Sequence, residues 1–552
     1  MRLRIVPLAS ALMMTAAVSA FGQTGQSPLA SSLDAAAQNA AQQPAPQSTR
    51  ALSIDEAVKL AVEQNLGIRI QRYEPQISDV GIAQARSFWA PSLTTGIQRQ
   101  SQAIQVTNAF AGSGSSINVG SVGSQVALSQ ILPWGTNYSA TWNGSHIKTT
   151  NLSSTFNPEL RSNLNFQVTQ PLLRNFEIDQ IRQQLANSKK IRELSDIQLE
   201  GVVTGTLRAV RNAYWDLSTA INNHKAQQES LKLSQQSLRD NQKRVEIGTL
   251  APLDVIQAQA EVASNEERVI VAEAQIRSAQ DQLRALILDP ASPDFWTVTF
   301  EPTDAPTFAA QAIDVEGAIS NALGKRSDLR SAKNSLEQSD INIKYYRNQI
   351  KPDVNANVSY VTSASGGLQL SQVTDFAAIQ AGTATRSVVA DRGFGSVLGD
   401  VFQSTYPNWT VGVSIGYPLG SSVAHANLAR ARLEYDQAQA QLKNLQLQVA
   451  TQVRSVARNV QTNQQRVASA KSSRELQEKK LEAEEKKLAA GMSSTFFVFQ
   501  AQRDLALART AEIQAISDYN KSLVDFEAVQ QVPLNGGGGG ITTAGSGAVR
   551  QQ

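Results

Sequence analysis

The sequence has no cysteine among its 552 residues. It can form no disulfide, offers no thiolate to a metal and has no thiol for lipid attachment. Net charge is low: 50 Lys and Arg against 47 Asp and Glu leave +3, too balanced for a nucleic-acid surface. Histidine is scarce, and His146, His224 and His425 fall in unrelated segments, so no metal-ligating spacing appears. There is no phosphate-binding loop; "GSGSS" at 112–116 is a flexible loop by composition. The paired acids Glu484 and Glu485 lie in "EEKK" and read as a solvated helix face, not an acid–base pair. These absences argue against an enzyme and imply neither cofactor nor metal. Beyond the first 20 residues no run approaches the ~18 apolar residues of a spanning helix. Any membrane crossing therefore has to use strands.

What is present starts with a basic Met1–Arg4, a mostly apolar Ile5–Val18 and a small-residue site at Val18-Ser19-Ala20. Residues 1–20 are expected to be a secretory signal peptide. Residues 21–50, rich in Gln, Ala, Ser and Pro, are expected to be a disordered leader, and 531–552, with "GGGGG", a floppy tail. A Pro-rich linker at 289–312 separates two halves, 51–288 and 313–530.

The halves repeat each other. "RVEIGTLAPLDVIQAQAEV" (244–262) and "KLAAGMSSTFFVFQAQRDL" (487–505) both place a Gly seven residues before Val-x-Gln-Ala-Gln, 243 residues apart. Ala57, Ala61, Arg69 and Pro91 match Ala318, Ala322, Arg330 and Pro352 at an offset of 261, and Pro171 matches Pro418. The chain is a tandem duplication. Each half should run short helix, strand region (about 92–172 and about 353–418), long helix, Gly turn, helix, with helical hairpins at about 176–288 and about 420–530.

The helices carry heptads. Val255, Val262, Val269, Ile276 and Leu283 recur every seven residues, with Ala258, Asn265, Ala272, Ala279 and Leu286 three further on. In the second copy Val498, Leu505, Tyr519 and Phe526 pair with Ala501, Ala508, Ala515, Ser522 and Val529, and Glu512 breaks the series. Small residues on one row let helices approach closely. A helix over 176–247 would be roughly 105 Å long, and helices over 252–288 and 52–89 about 55 Å each. Two short helices stacked end to end would match one long one.

The strand regions alternate. Trp409, Val411, Val413, Ile415 and Tyr417 oppose Thr410, Gly412, Ser414 and Gly416; Leu164, Phe166 and Val168 oppose Asn163, Asn165, Gln167 and Thr169. An apolar and a small-polar face suit a membrane barrel with a wet lumen, with Trp134, Tyr138, Trp142, Tyr406, Trp409 and Tyr417 as interfacial aromatics. A soluble β-sandwich would show the same alternation, but no segments remain to cover such a sheet. A turn at Pro133–Gly135 predicts four strands in the first region, and residues 364–407 read as a long external loop. So few strands cannot close a barrel, and lipid tolerates no open edge. A symmetric ring of copies solves this.

"LSIDEAVKLAVEQN" (52–65), "APSL" (90–93), "TQPLLR" (169–174) and the doubled Gly-turn phrase resemble the TolC family of outer-membrane efflux proteins over nearly the whole mature chain. The resemblance implies a mainly α fold with a membrane β region: a homotrimer whose shared β-barrel sits in outer-membrane lipid and whose long helical hairpins form a periplasmic α-barrel. It implies a passive exit duct working with a periplasmic adaptor and an inner-membrane pump. The two Gly turns resemble the adaptor-touching tips, which by position are Gly248, Thr249, Leu250 and Gly491, Met492, Ser493. Gly supplies the left-handed backbone such a turn needs, and Pro252 suits a first helical turn. Some relatives carry acidic rings just inside the second tip. The matching positions here are Phe497 and Gln500, while Asp254 keeps an acid in the first copy. The gate expected from this comparison is a hydrophobic constriction at Phe497. A periplasmic adaptor or coiled-coil scaffold is the alternative, but it would carry one hairpin between small β-domains. A type I secretion channel shares the fold, and cargo is not legible.

Overall fold

The computed structural model describes residues 49–106, 116–381, 383–420 and 422–531. The expected signal peptide, nearly all of the leader and tail, and most of "GSGSS" lie outside the described residues. In chain order the elements are β1 (Thr49–Leu52), α1 (Ile54–Gln64), α2 (Leu66–Gln71), α3 (Tyr73–Ser87), β2 (Ser92–Gln105), β3 (Ser116–Ile131), β4 (Asn137–Thr149), β5 (Phe156–Pro171), α4 (Gln180–Glu246) and α5 (Pro252–Ile287). Then follow β6 (Thr299–Pro302), α6 (Val315–Lys325), α7 (Ser327–Gln349), β7 (Asp353–Leu370), α8 (Phe376–Ala381), β8 (Val388–Arg392), α9 (Phe394–Phe402), β9 (Pro407–Gly416), α10 (Val423–Ala489) and α11 (Thr495–Val529).

The helical part is a layer of columns. α4 and α10 each run 67 residues, and α10 contains neither Gly nor Pro, the two residues that most weaken a helix interior. Their hairpin partners α5 and α11 run 36 and 35 residues. α5, α4, α11 and α10 pack side by side in that order. Above them the order is α3, α4, α7, α10. Short helices therefore stack end to end beside the long ones, as the lengths required. In α5 the row Ala258, Asn265, Ala272, Ala279 is buried, and in α11 so is Ala501, Ala508, Ala515, Ser522, Val529. The small row of each heptad is thus the contact row.

The repeat is visible in the core. Ala57 and Ala61 are buried beside Tyr214, Leu217, Leu283 and Phe300. Their matches Ala318 and Ala322 are buried beside Val449, Val453 and Val529. Arg69 pairs with Asp289 at 2.5 Å and its match Arg330 pairs with Glu200.

Seven strands form one sheet, ordered β2-β3-β4-β5-β7, with β8 and β9 both on the free edge of β7. β9 pairs with Asp353–Thr362 and β8 with Gly367–Leu370. The first region holds four strands, as the Pro133–Gly135 turn predicts: Gly135 has φ +93° and its amide donates to the Leu132 carbonyl at 2.8 Å.

Three expectations change. Residues 52–89 are not one helix, because the chain breaks at Asn65 and Arg72. The Asn65 carboxamide accepts from Ile68 N at 3.1 Å, starting α2, and donates to Leu286 O at 2.9 Å, joining the end of α5. Residues 364–407 are not only a loop. β7 continues to Leu370, and β8 and two short helices follow. The linker 289–312 includes β6, which pairs in parallel with β1, so Thr49 and Arg50 of the expected leader are strand residues.

Candidate functional site: the paired turns and the two-faced sheet

The two Gly turns have one geometry. Gly248 and Gly491 both have φ +75°. Gly248 N donates to Val245 O at 3.0 Å and Thr249 N to Arg244 O at 2.8 Å; Gly491 N donates to Leu488 O at 3.1 Å and Met492 N to Lys487 O at 2.8 Å. This bond pair closes a helix whose next residue is left-handed. Thr249 is exposed, Leu250 half-buried, Met492 exposed and Ser493 half-buried. Thr249 Oγ1 also donates to Arg244 O, and Ser493 Oγ to Glu484 Oε2 at 2.8 Å.

The turns of one chain touch. Thr495 Oγ1, buried at the start of α11, donates to Asp254 Oδ1 in the first turn of α5 at 2.6 Å. Phe497 stands 53% exposed, edge-on to Phe496, and Gln500 is exposed. Phe499, which sequence reasoning passed over, is the buried aromatic. Neither Phe497 nor Gln500 bonds to Asp254. Thr495 was also overlooked; it occupies the place Pro252 holds in the first copy, and that polar exchange was the available signal.

Above the turns a charge cluster ties three helices. Arg474 of α10 meets Glu512 of α11 at 2.6 Å and Glu478 at 2.8 Å, and Arg509 of α11 meets Glu478 at 3.1 Å and Glu229 of α4 at 3.3 Å. The heptad break at Glu512 is therefore an ion-pair position. The Arg509 hydrogen bond holds the Glu478 carboxyl below its ordinary range, with Arg474 adding to it.

The sheet separates its faces by register. One row across it reads Leu128, Ala140, Phe166, Tyr360, Trp409, and another reads Val126, Trp142, Leu164, Thr362. The opposite face carries Gln125, Asn143, Asn163 and Ser363 in one row and Ser129, Ser139, Gln167, Ser359 and Thr410 in another. Strands β2–β5 and β7 have 13–18 residues, more than the ~9–11 that cross hydrocarbon. No helix among the described residues is long and apolar enough to cross a membrane. Among them no His, Asp and Glu cluster could hold a metal ion.

No curated protein matches the sequence. Solved structures similar to it include outer membrane channels and other outer membrane proteins. The CmeC outer membrane channel of Campylobacter jejuni is 14% identical, with 87% of this chain and 85% of that chain covered and a TM-score of 0.60. VceC from Vibrio cholerae is 15% identical (87% and 96% covered, TM-score 0.58), and the open-state MtrE channel of Neisseria gonorrhoeae is 16% identical (87% and 88%, TM-score 0.58). At such identities the likeness establishes the fold. The family model for outer membrane efflux proteins matches residues 57–287 and 318–529, one segment in each half of the duplication. It describes transport channels and sets aside the adaptor alternative. With both halves matched, the chain belongs to the outer membrane efflux protein family and is an outer-membrane exit duct whose long helices stand in the periplasm.

Proposed function

We propose that three copies of the chain close into one duct and that the paired turns are its pump-side end. The supporting observation is that the structure has unfinished edges at both levels. Among the described residues the sheet ends at β2 and β9 with no partner strand on their outer edges. Toward the turns the helical layer ends at α5, which exposes Ile256 and Ile270, and at α10, which exposes Leu476; nearer the sheet it ends at α3, which exposes Ile77 and Val80, and at α10, which exposes Leu433 and Leu447. Ile256 and Ile270 are 14 residues apart, two heptads, and so are Leu433 and Leu447, as a second seam at each level requires. A β2-to-β9 and α5-to-α10 contact joins unlike edges, and such a contact closes only as a ring. The apolar sheet face then meets lipid and the polar face lines the lumen.

In this reading Gly248, Thr249, Leu250, Gly491, Met492 and Ser493 face a periplasmic adaptor, and an inner-membrane pump supplies energy. Asp254, Phe497 and Gln500 stand at the gate, with the Phe497 ring as its apolar constriction. The test is native mass measurement with negative-stain microscopy of protein extracted in mild detergent. The expected result is a trimer with a tube well over about 100 Å long, as the helix rise requires. A monomer released without detergent would overturn the proposal.

A further inference from the structure

Helix α9, "FGSVLGDVF", lies on the apolar face of the sheet. Its apolar residues Phe394, Val397, Leu398, Val401 and Phe402 share one side at helical spacing. Val397 and Val401 are fully buried against Leu160, Leu164 and Ala364. The Phe394 ring meets Trp142 of β4 edge-on at 6.5 Å, and Thr362 Oγ1 of β7 donates to the Val401 carbonyl at 3.3 Å. Gly366 makes the room: a Cβ there would stand 2.5 Å from Val397 Cγ2. The helix thus runs from above β4 to above β7, across the strands and within its own chain's sheet.

Its two flanks differ. Asp400 pairs with Arg392, whose register partner is Gly367, five residues further from the periplasmic helices than Thr362. The Phe394 flank meets Trp142, which lies in the same row as Leu164 and Thr362. The charged edge therefore points to the outer end of the strands, and the aromatic edge points back toward the middle of the apolar band. Phe402 at its end and Tyr406 and Trp409 beyond it are exposed, continuing the apolar surface of the sheet.

We propose that α9 is an interfacial helix on the outside of the barrel, lying in the membrane plane with Phe394 and Phe402 among outer-leaflet acyl chains. An amphipathic helix with a charged edge and exposed aromatics suits that depth. The proposal rests on the assignment of the apolar face to lipid. Because the chain lacks cysteine, single-cysteine variants Phe402→Cys, Ser396→Cys and Val358→Cys can each carry one nitroxide. The assembled protein in palmitoyl-oleoyl phosphatidylcholine vesicles is then probed with oxygen, which concentrates in the bilayer, and a water-soluble nickel chelate. The expected oxygen-to-nickel collision ratio at 402 approaches that at 358, on the sheet face, and exceeds that at 396 several-fold. A water-like ratio at 402, or shielding from both reagents by a neighbouring copy, with 358 still lipid-like, overturns the helix proposal and leaves the channel standing. A water-like ratio at 358 overturns the face assignment itself. If Phe402→Cys fails to assemble, Phe394→Cys reports the same edge.

Discussion

The phenol of Tyr214, midway along α4, ties together segments far apart in sequence. Its hydroxyl lies 3.0 Å from Leu52 O and 2.9 Å from Asp304 Oδ2, and it accepts from Asp304 N at 3.1 Å. Burial pushes its pKa from 10.0 up to about 12. The protonated form is the bonded one, so this contribution to stability is fully present below pH 10 and lost as pH rises through about 12. Tyr214→Phe should cost about 1–3 kcal/mol, because it leaves buried polar partners unpaired. Faster hydrogen exchange at 52–56 and 303–305 is the expected reading, and unchanged exchange there would contradict it. At the proposed gate, Phe497→Ala should raise the leak of bulky antibiotics into cells. Unchanged susceptibility at equal expression would count against the constriction.

At the scale of elements, the turns and the helix breaks have different origins. A Cβ on Gly491 would touch nothing within 4 Å, so the position needs glycine for its φ of +75° alone. Gly491→Ala should cost about 1–2 kcal/mol and speed amide exchange around 486–498 roughly tenfold, with Gly491→Asn milder. Equal exchange in both variants would show that the strain is absorbed elsewhere. The break at Asn65 is tertiary in origin. Its side chain serves α2 and the Leu286 carbonyl together, and no local pattern announces the second bond. Asn65, Gly67 and Pro75 were the available signals, since Pro belongs in a first helical turn and Pro75 is the third residue of α3. The α9 segment reads as loop in the sequence because it is only nine residues long and its apolar side needs a sheet face beneath it.

At the scale of the whole molecule, the proposed assembly rests on the α5 and α10 edges. Ile256→Asp with Ile270→Asp should leave the chain folded, since both side chains are exposed in the single chain, yet shift native mass from trimer to monomer. Burying two isoleucines contributes about 3–6 kcal/mol per interface, and the substitution replaces that with unpaired charge. A trimer that survives would place the seam elsewhere.

The sequence alone determined the duplication, the column lengths, the two turns, the four-strand first region and the separation of sheet faces. Each of these follows from local rules: glycine at positive φ, a seven-residue period, a two-residue alternation. Their outcomes repeat in the structure residue by residue, as Ala57 and Ala318 or Gly248 and Gly491 show. Only the tertiary structure decided which helix neighbours which, where Asn65 and Arg72 interrupt the short helices, that Thr495 rather than Phe497 meets Asp254, and that α9 crosses the apolar face. The Asn65–Leu286 and Asp254–Thr495 contacts and the seat of α9 on Leu160 and Leu164 join segments more than two hundred residues apart, where no period or spacing carries the information.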